Sequence, residues 1–222
     1  MEKLEIACFN LESALIAQEG GADRVELCAN IKEGGTTPDL EVVRQTLDRL
    51  KIPIYVMIRP RGGNFVYSEA EFQQMEKEIQ QFKTLGVNGF VFGILNEDKT
   101  VNLQQNSELV ELARPFPCTF HRAFDEVSEV FHSLEAVIQC GFSTLLTSGT
   151  MPNVIEGISV LMKLVEKADN RITIMPGGGL RSNNIKMLQQ QTNAGFYHSS
   201  AITDKSEIAN IDEVKALKSN LQ

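Results

Sequence analysis

Residues able to do chemistry gather in a few short runs of this chain. Arg59-Pro60-Arg61-Gly62-Gly63 sets two guanidinium groups either side of a stiff proline, with glycines behind them. Guanidinium forks hold carboxylate or phosphate oxygens in pairs, and glycine lets a ligand come close to the backbone. His121-Arg122-Ala123-Phe124-Asp125 places an imidazole, a guanidinium and a carboxylate within five residues. Such a run can move a proton, supply charge and orient the group that does either. Gly177-Gly178-Gly179, His198-Ser199 and Ser148 add the backbone amides and hydroxyls that favour small anions. With Glu26 of the Arg24-Val25-Glu26-Leu27 run added, the catalytic set is Glu26, His121 and Asp125. The anion-binding set is Arg59, Arg61, Arg122, Ser148, Gly177, Gly178, Gly179, His198 and Ser199.

The elements that must position these residues follow a repeat. Short apolar runs at 4–9, 24–28, 54–58, 89–92, 119–121, 144–148, 172–175 and 196–199 read as strands, and stretches with helical spacing separate them. Phe72, Met75, Ile79, Phe82 and Leu85 form one apolar face, as do Ile155, Ile158, Leu161 and Val165. Ser68 with Glu71 predicts a capping box, and Thr37-Pro38 an N-cap followed by a first-turn proline. Gly-Ala-Asp, Gly-Val-Asn, Gly-Phe-Ser and Asn-Ala-Gly each stand between a helix end and a strand. Eight βα units in 222 residues predict a single (β/α)₈ TIM barrel spanning 1–222, with parallel strands and right-handed crossovers. No G-x-G-x-x-G follows the first strand, which sets aside an open dinucleotide-binding sheet.

Alternation then phases the strands. The face under the helices wants plain aliphatic residues, so Glu5, Glu26, Arg59 and His121 point into the barrel, and His198 by the same argument. Buried carboxylates need partners, and Arg59 and Arg61 are the expected cations for Glu5 and Glu26. Such a set reads either as a structural ion-pair network or as an active site. Strand ends at the barrel mouth favour the second.

Bulk properties narrow the partners. A net charge of −8 repels nucleic acid and anionic membranes, and a small anionic partner then needs a local cluster of arginines. Four cysteines without a C-x-x-C pair, and a first segment without basic and apolar blocks, imply a reducing cytoplasm. No apolar run approaches the roughly 20 residues of a membrane-spanning helix. Lysine is missing from the strand ends, against Schiff-base chemistry.

Taken together, the motifs resemble the CutC family of copper homeostasis proteins across nearly the whole chain. They are Gly21-Ala22-Asp23-Arg24-Val25-Glu26-Leu27-Cys28, Glu33-Gly34-Gly35-Thr36-Thr37-Pro38, Met57-Ile58-Arg59-Pro60-Arg61-Gly62-Gly63, Thr119-Phe120-His121-Arg122-Ala123-Phe124-Asp125, Leu146-Thr147-Ser148-Gly149 and Met175-Pro176-Gly177-Gly178-Gly179. The resemblance implies a cytoplasmic barrel, often self-associating, linked to copper handling and in some members to copper(I) binding. It also implies an inward thiol pair at the ends of the first two strands. Only Cys28 matches that pair, because Ala7 holds the first place and Cys8 falls one residue on, facing the helices. Copper(I) prefers soft ligands, so Cys28 with Met57 or His121 is the candidate metal site. Two readings stay open: a copper-binding protein without turnover, and a lyase, isomerase or hydrolase acting on a small anionic, phosphorylated or sugar-like substrate. The second has a divalent-metal form with Glu26, His121 and Asp125 as ligands.

Overall fold

The computed structural model describes residues 2–221. Eight parallel strands and eight helices alternate along the chain. They are β1 (Lys3–Cys8), α1 (Leu11–Glu19), β2 (Arg24–Leu27), α2 (Leu40–Arg49), β3 (Ile54–Met57), α3 (Glu69–Leu85), β4 (Gly89–Phe92), α4 (Leu103–Ala113), β5 (Cys118–Phe120), α5 (Val130–Cys140), β6 (Thr144–Thr147), α6 (Ile158–Ala168), β7 (Thr173–Pro176), α7 (Ile185–Thr192), β8 (Phe196–Ser199) and α8 (Ile211–Ser219). Consecutive strands from β1 to β7 pair in parallel, β1 also pairs with β8, and a parallel bridge from Gly177 to His198 closes the ring. The fold is a (β/α)₈ barrel.

Apolar packing divides into the two layers that alternation demands. Ile6, Cys8, Val25, Leu27, Val56, Phe90 and Phe92 belong to the shell between strands and helices. Cys28, Tyr55, Met57 and Val91 pack together inside the barrel, as do Leu146, Met175 and Phe196. Cys8 therefore lies outside the ring and Cys28 inside, as the one-residue offset requires.

Local signals hold with a few shifts. Ser68 and Glu71 make the capping box of α3, whose Phe72, Met75, Ile79 and Phe82 are buried. Left-handed residues follow four helices where the glycine motifs stand: Gly21, Gly86 and Gly141, and, in Asn-Ala-Gly, Asn193 rather than the glycine. Thr37 does not cap α2; the helix begins after Asp39. The Thr37 hydroxyl instead accepts from Arg59 N at 2.9 Å and donates to Glu78 at 2.7 Å, tying the β2 loop to β3 and α3. Ile155 is not part of the α6 face, because that helix starts at Ile158 and Ile155 is exposed in the preceding loop.

One glycine bears directly on the interior. A Cβ on Gly89 of β4 would come within 2.6 Å of the Tyr55 ring, which lies under the Arg24 guanidinium at 3.8 Å. Gly89→Ala is expected to push Tyr55 into Arg24 and destabilise the barrel by about 1–3 kcal/mol, the usual penalty of overpacking. A lowered urea midpoint with an unchanged slope checks it.

Candidate functional site

The strand ends open onto a cavity of about 250 Å³. Its floor is built by inward residues of β1, β2, β3 and β8, including Ala7, Glu26, Cys28, Met57 and His198, and its walls by Arg59, Phe65, His121, Arg122, Gly178, Gly179 and Arg181. The eighteen lining residues come from strands and loops far apart in sequence, so only closure of the ring creates the site.

Glu5 anchors the floor. Its carboxylate, fully buried, takes a hydrogen bond and ion pair from Arg24 Nε on one oxygen, and lies 2.8 Å from His198 Nδ1 on the other. Burial opposes that charge, but Arg24 and His198 outweigh it and hold the Glu5 carboxyl well below its ordinary range. Arg24 is itself clasped between the Tyr55 and Phe196 rings, at 3.8 and 4.3 Å. The cation that balances Glu5 is thus Arg24, not Arg59 or Arg61. Register explains it: Arg24 stands opposite Glu5 across the β1–β2 pair and shares strand parity with Glu26 and Cys28. That parity was readable in the sequence and is the signal that would have found it.

Beyond Glu5 the network reaches the cavity. With Nδ1 facing Glu5, His198 turns Nε2 toward Glu26 Oε2 at 3.9 Å, and Cys28 Sγ donates to that same oxygen at 3.4 Å. Glu26 Oε1 is buried with no partner among the described residues. Burial and the Glu5 charge raise the Glu26 carboxyl against the opposing pull of His198. For His198 burial acts downward, but Glu26, the Glu5 hydrogen bond and the Glu5 charge prevail and raise the imidazole. Burial, then the Glu26 charge, pushes the Cys28 thiol far up. Glu5, Glu26 and His198 bring metal-capable atoms within 4.8 Å of one another. Both Glu5 oxygens are already engaged, however, so the free donors are Glu26, His198 Nε2 and the Cys28 thiol.

His121 plays a different part from the acid–base role expected of it. Its Nδ1 accepts from Ala123 N at 3.3 Å, which puts the ring proton on Nε2. Burial and the nearby Arg59 charge hold the imidazole down at about 3, so it stays neutral. Nε2, only 3% of the residue being exposed, has no partner among the described residues. His121 is therefore a fixed donor. It is not arranged as a base or a metal ligand, since an Nδ1 proton would oppose the Ala123 N–H. Gly93 makes room for it, because a Cβ there would sit 2.8 Å from Nδ1.

The arginines divide sharply. Arg59, 5% exposed, donates to Glu33 O, Gly35 O and Gly63 O, stacks on Phe65 at 4.7 Å, and keeps a buried Nε without a partner. Arg61 does not line the cavity; it pairs with Glu71 at 2.5 Å and donates to Val66 O, pinning the loop to the α3 cap. Arg122 and Arg181 line the wall, Arg181 having gone unnoticed in the sequence because Leu180-Arg181-Ser182 resembles any helix approach.

Asp125 and Ser148 also lie outside the lining. The Asp125 carboxylate accepts from Thr147 Oγ1 at 2.5 Å, Ser148 N, Thr150 N and Arg122 Nε, while Ser148 Oγ accepts from Arg122 and donates to Met151 O. They fold the β6 loop and aim Arg122. Among the described residues, the metal-capable atoms that gather are those of Glu5, Glu26 and His198, not those of Glu26, His121 and Asp125. Gly178 and Gly179, both at positive φ, and Ser199 line the cavity, whereas Gly177 closes the ring.

The model of the CutC family matches residues 2–203. The Homo sapiens copper homeostasis protein cutC homolog is 41% identical over 89% of this chain and 72% of its own length. A crystal structure assigned to a copper homeostasis protein CutC of Streptococcus agalactiae superposes with a TM-score of 0.86 at 35% identity, covering 91% of this chain and 100% of that one. Phosphoribosyl anthranilate isomerase of Thermococcus kodakaraensis, at 13% identity and TM-score 0.70 over 100% and 99%, shares the fold alone.

Two outcomes test the site's electrostatics. Arg24→Met leaves the Glu5 charge buried beside one imidazole, and a loss of about 3–5 kcal/mol in unfolding free energy is expected. His121 has its folded value near 3 and its unfolded value at 6.5, so its contribution is complete above 6.5 and fades as pH falls toward 3. His121→Asn, which keeps an acceptor for Ala123 N, should lose less stability than the parent between pH 6.5 and 4, read from urea midpoints.

Proposed function

We propose that this chain, which belongs to the CutC family, takes part in copper homeostasis by binding copper(I) at the barrel mouth, with Cys28 as its thiolate ligand and Met57 and His198 as neighbouring donors. The carrying observation is the Cys28 thiol at 3.4 Å from Glu26, with His198 Nε2 across the same carboxylate. Copper(I) binds a thiolate, so entry of the ion must expel the Cys28 proton. Glu26, its carboxyl raised by burial, is the acceptor beside that thiol. Met57 packs against Cys28, and both flank Gly35. The donor set thus fits a soft monovalent ion, and Cys8, on the outer face, takes no part. The human relative's printed name, a copper homeostasis protein, agrees with this reading.

The same reading takes residues 1–222 as one domain that self-associates in the cytoplasm, where its four buried free cysteines stay reduced. Among the described residues, no helix is long and apolar enough to cross a membrane.

A second reading, binding of a small oxyanion, is favoured by a separate observation. Arg59 Nε and His121 Nε2 are buried donors without partners, and both residues border the cavity with Arg122, Arg181, Gly178, Gly179 and Ser199. Unpaired buried donors are costly, and an acceptor-rich ligand relieves both.

Titration with copper(I) against a competing chromophoric chelator distinguishes the ligands. Cys28→Ser is expected to weaken binding roughly a hundredfold, while Cys8→Ala leaves it unchanged, thiolate being the preferred donor. Affinity should fall with falling pH as the proton competes for the thiol. Equal affinities in the parent and Cys28→Ser would overturn the copper assignment.

A further inference from the structure

Glu26 and His198, which the copper reading uses as proton acceptor and donor atom, also form a proton couple on the cavity floor. His198 faces the Glu5 carboxylate through Nδ1, and Glu5 is backed by Arg24. That arrangement orients an imidazole so that Nε2 is the working nitrogen, as in any carboxylate–histidine pair built for proton transfer. The opposing group, Glu26, has one oxygen 3.9 Å from Nε2 and the other without a partner, and both residues line the cavity. A gap of this size is too wide for a direct hydrogen bond and wide enough for a ligand oxygen or carbon to reach both groups. The same cavity is lined by the donors Arg59, His121, Arg122 and Arg181.

We propose that Glu26 and His198 act as an acid–base couple on a small hydroxylated oxyanion with a carbonyl group, exchanging the proton on the carbon beside that carbonyl; the proposal rests on the oxyanion reading given above. The couple holds one proton. His198 Nε2 removes the carbon-bound proton while Glu26 gives its carboxyl proton to the carbonyl oxygen, forming an enediol. Return of a proton from His198 to the same carbon restores the ligand, and to the neighbouring carbon gives its isomer, with Glu26 recovering a hydroxyl proton. Atoms and charge balance without any oxidant or second reactant. Other chemistry fits less well. Among the described residues, Cys28 is the only thiol on the lining, its burial beside Glu26 keeps it un-ionised, and no lysine borders the cavity to form a Schiff base. Glu5 and Arg24 are positioning residues, since neither borders the cavity.

The test uses the full chain in D₂O with dihydroxyacetone phosphate and hydroxypyruvate, which present the same hydroxymethyl ketone on a phosphate and on a carboxylate. Saturation-transfer NMR reads binding, and loss of the carbon-bound proton signal reads exchange. The parent is expected to bind at least one probe and exchange its proton. Glu26→Gln and His198→Asn should retain binding but exchange about a hundredfold more slowly, the scale of general acid–base catalysis. Arg122→Gln should weaken binding instead. Glu5→Gln should shift the pH profile of exchange downward, which a merely structural Glu5 would not do. Binding without exchange overturns the acid–base couple and leaves the oxyanion reading standing; absence of binding to both probes and to inorganic phosphate overturns both. Exchange unaltered in Glu26→Gln and His198→Asn also rejects the couple.

Discussion

A carboxylate cannot stay ionised inside a protein without compensation, and Glu5 is buried at the centre of this barrel. Its two oxygens are assigned to Arg24 and His198, which come from the strands on either side of β1. That one group therefore joins β8, β1 and β2 across the sheet and fixes which nitrogen of His198 meets the cavity. Tyr55 and Phe196 then enclose the guanidinium, so packing and charge act on the same side chains. Every functional inference about Glu26 and Cys28 depends on this anchored neighbour.

The cavity built above it has two unlike sides. The floor offers groups that exchange protons or bind a soft ion: Glu26, His198, Cys28 and Met57. The wall offers donors already held in place by backbone carbonyls, as Arg59 is by Glu33, Gly35 and Gly63. His121 shows how local hydrogen bonding decides a role. Burial and the Arg59 charge keep its ring neutral, and one contact from Ala123 N leaves the proton on Nε2, making a donor of a residue whose type suggests acid–base work. Its neighbours Asp125 and Ser148 are spent on folding the β6 loop, although their types and positions in the sequence invite a catalytic reading. The two uses of the floor compete, because Nδ1 of His198 is engaged by Glu5 and an ion held at Nε2 leaves no nitrogen to act as base.

Linear order was enough to read the barrel and the faces of its strands. Those properties are periodic: alternation along a strand and three- to four-residue spacing along a helix survive in the linear order. They sufficed to put Glu5, Glu26, Cys28 and His198 inside and Cys8 outside. Tertiary structure alone decided which partners these groups have. Arg24 was within reach of the same parity argument, but its pairing with Glu5 depends on the register of β1 against β2, which no run of residues encodes locally. Likewise, Arg61 turns to Glu71 and Asp125 to Thr147 because loop closure brings those atoms within hydrogen-bonding range. Residue type fixes what a side chain is able to do, whereas the competition among its spatial neighbours for its donors and acceptors fixes what it does.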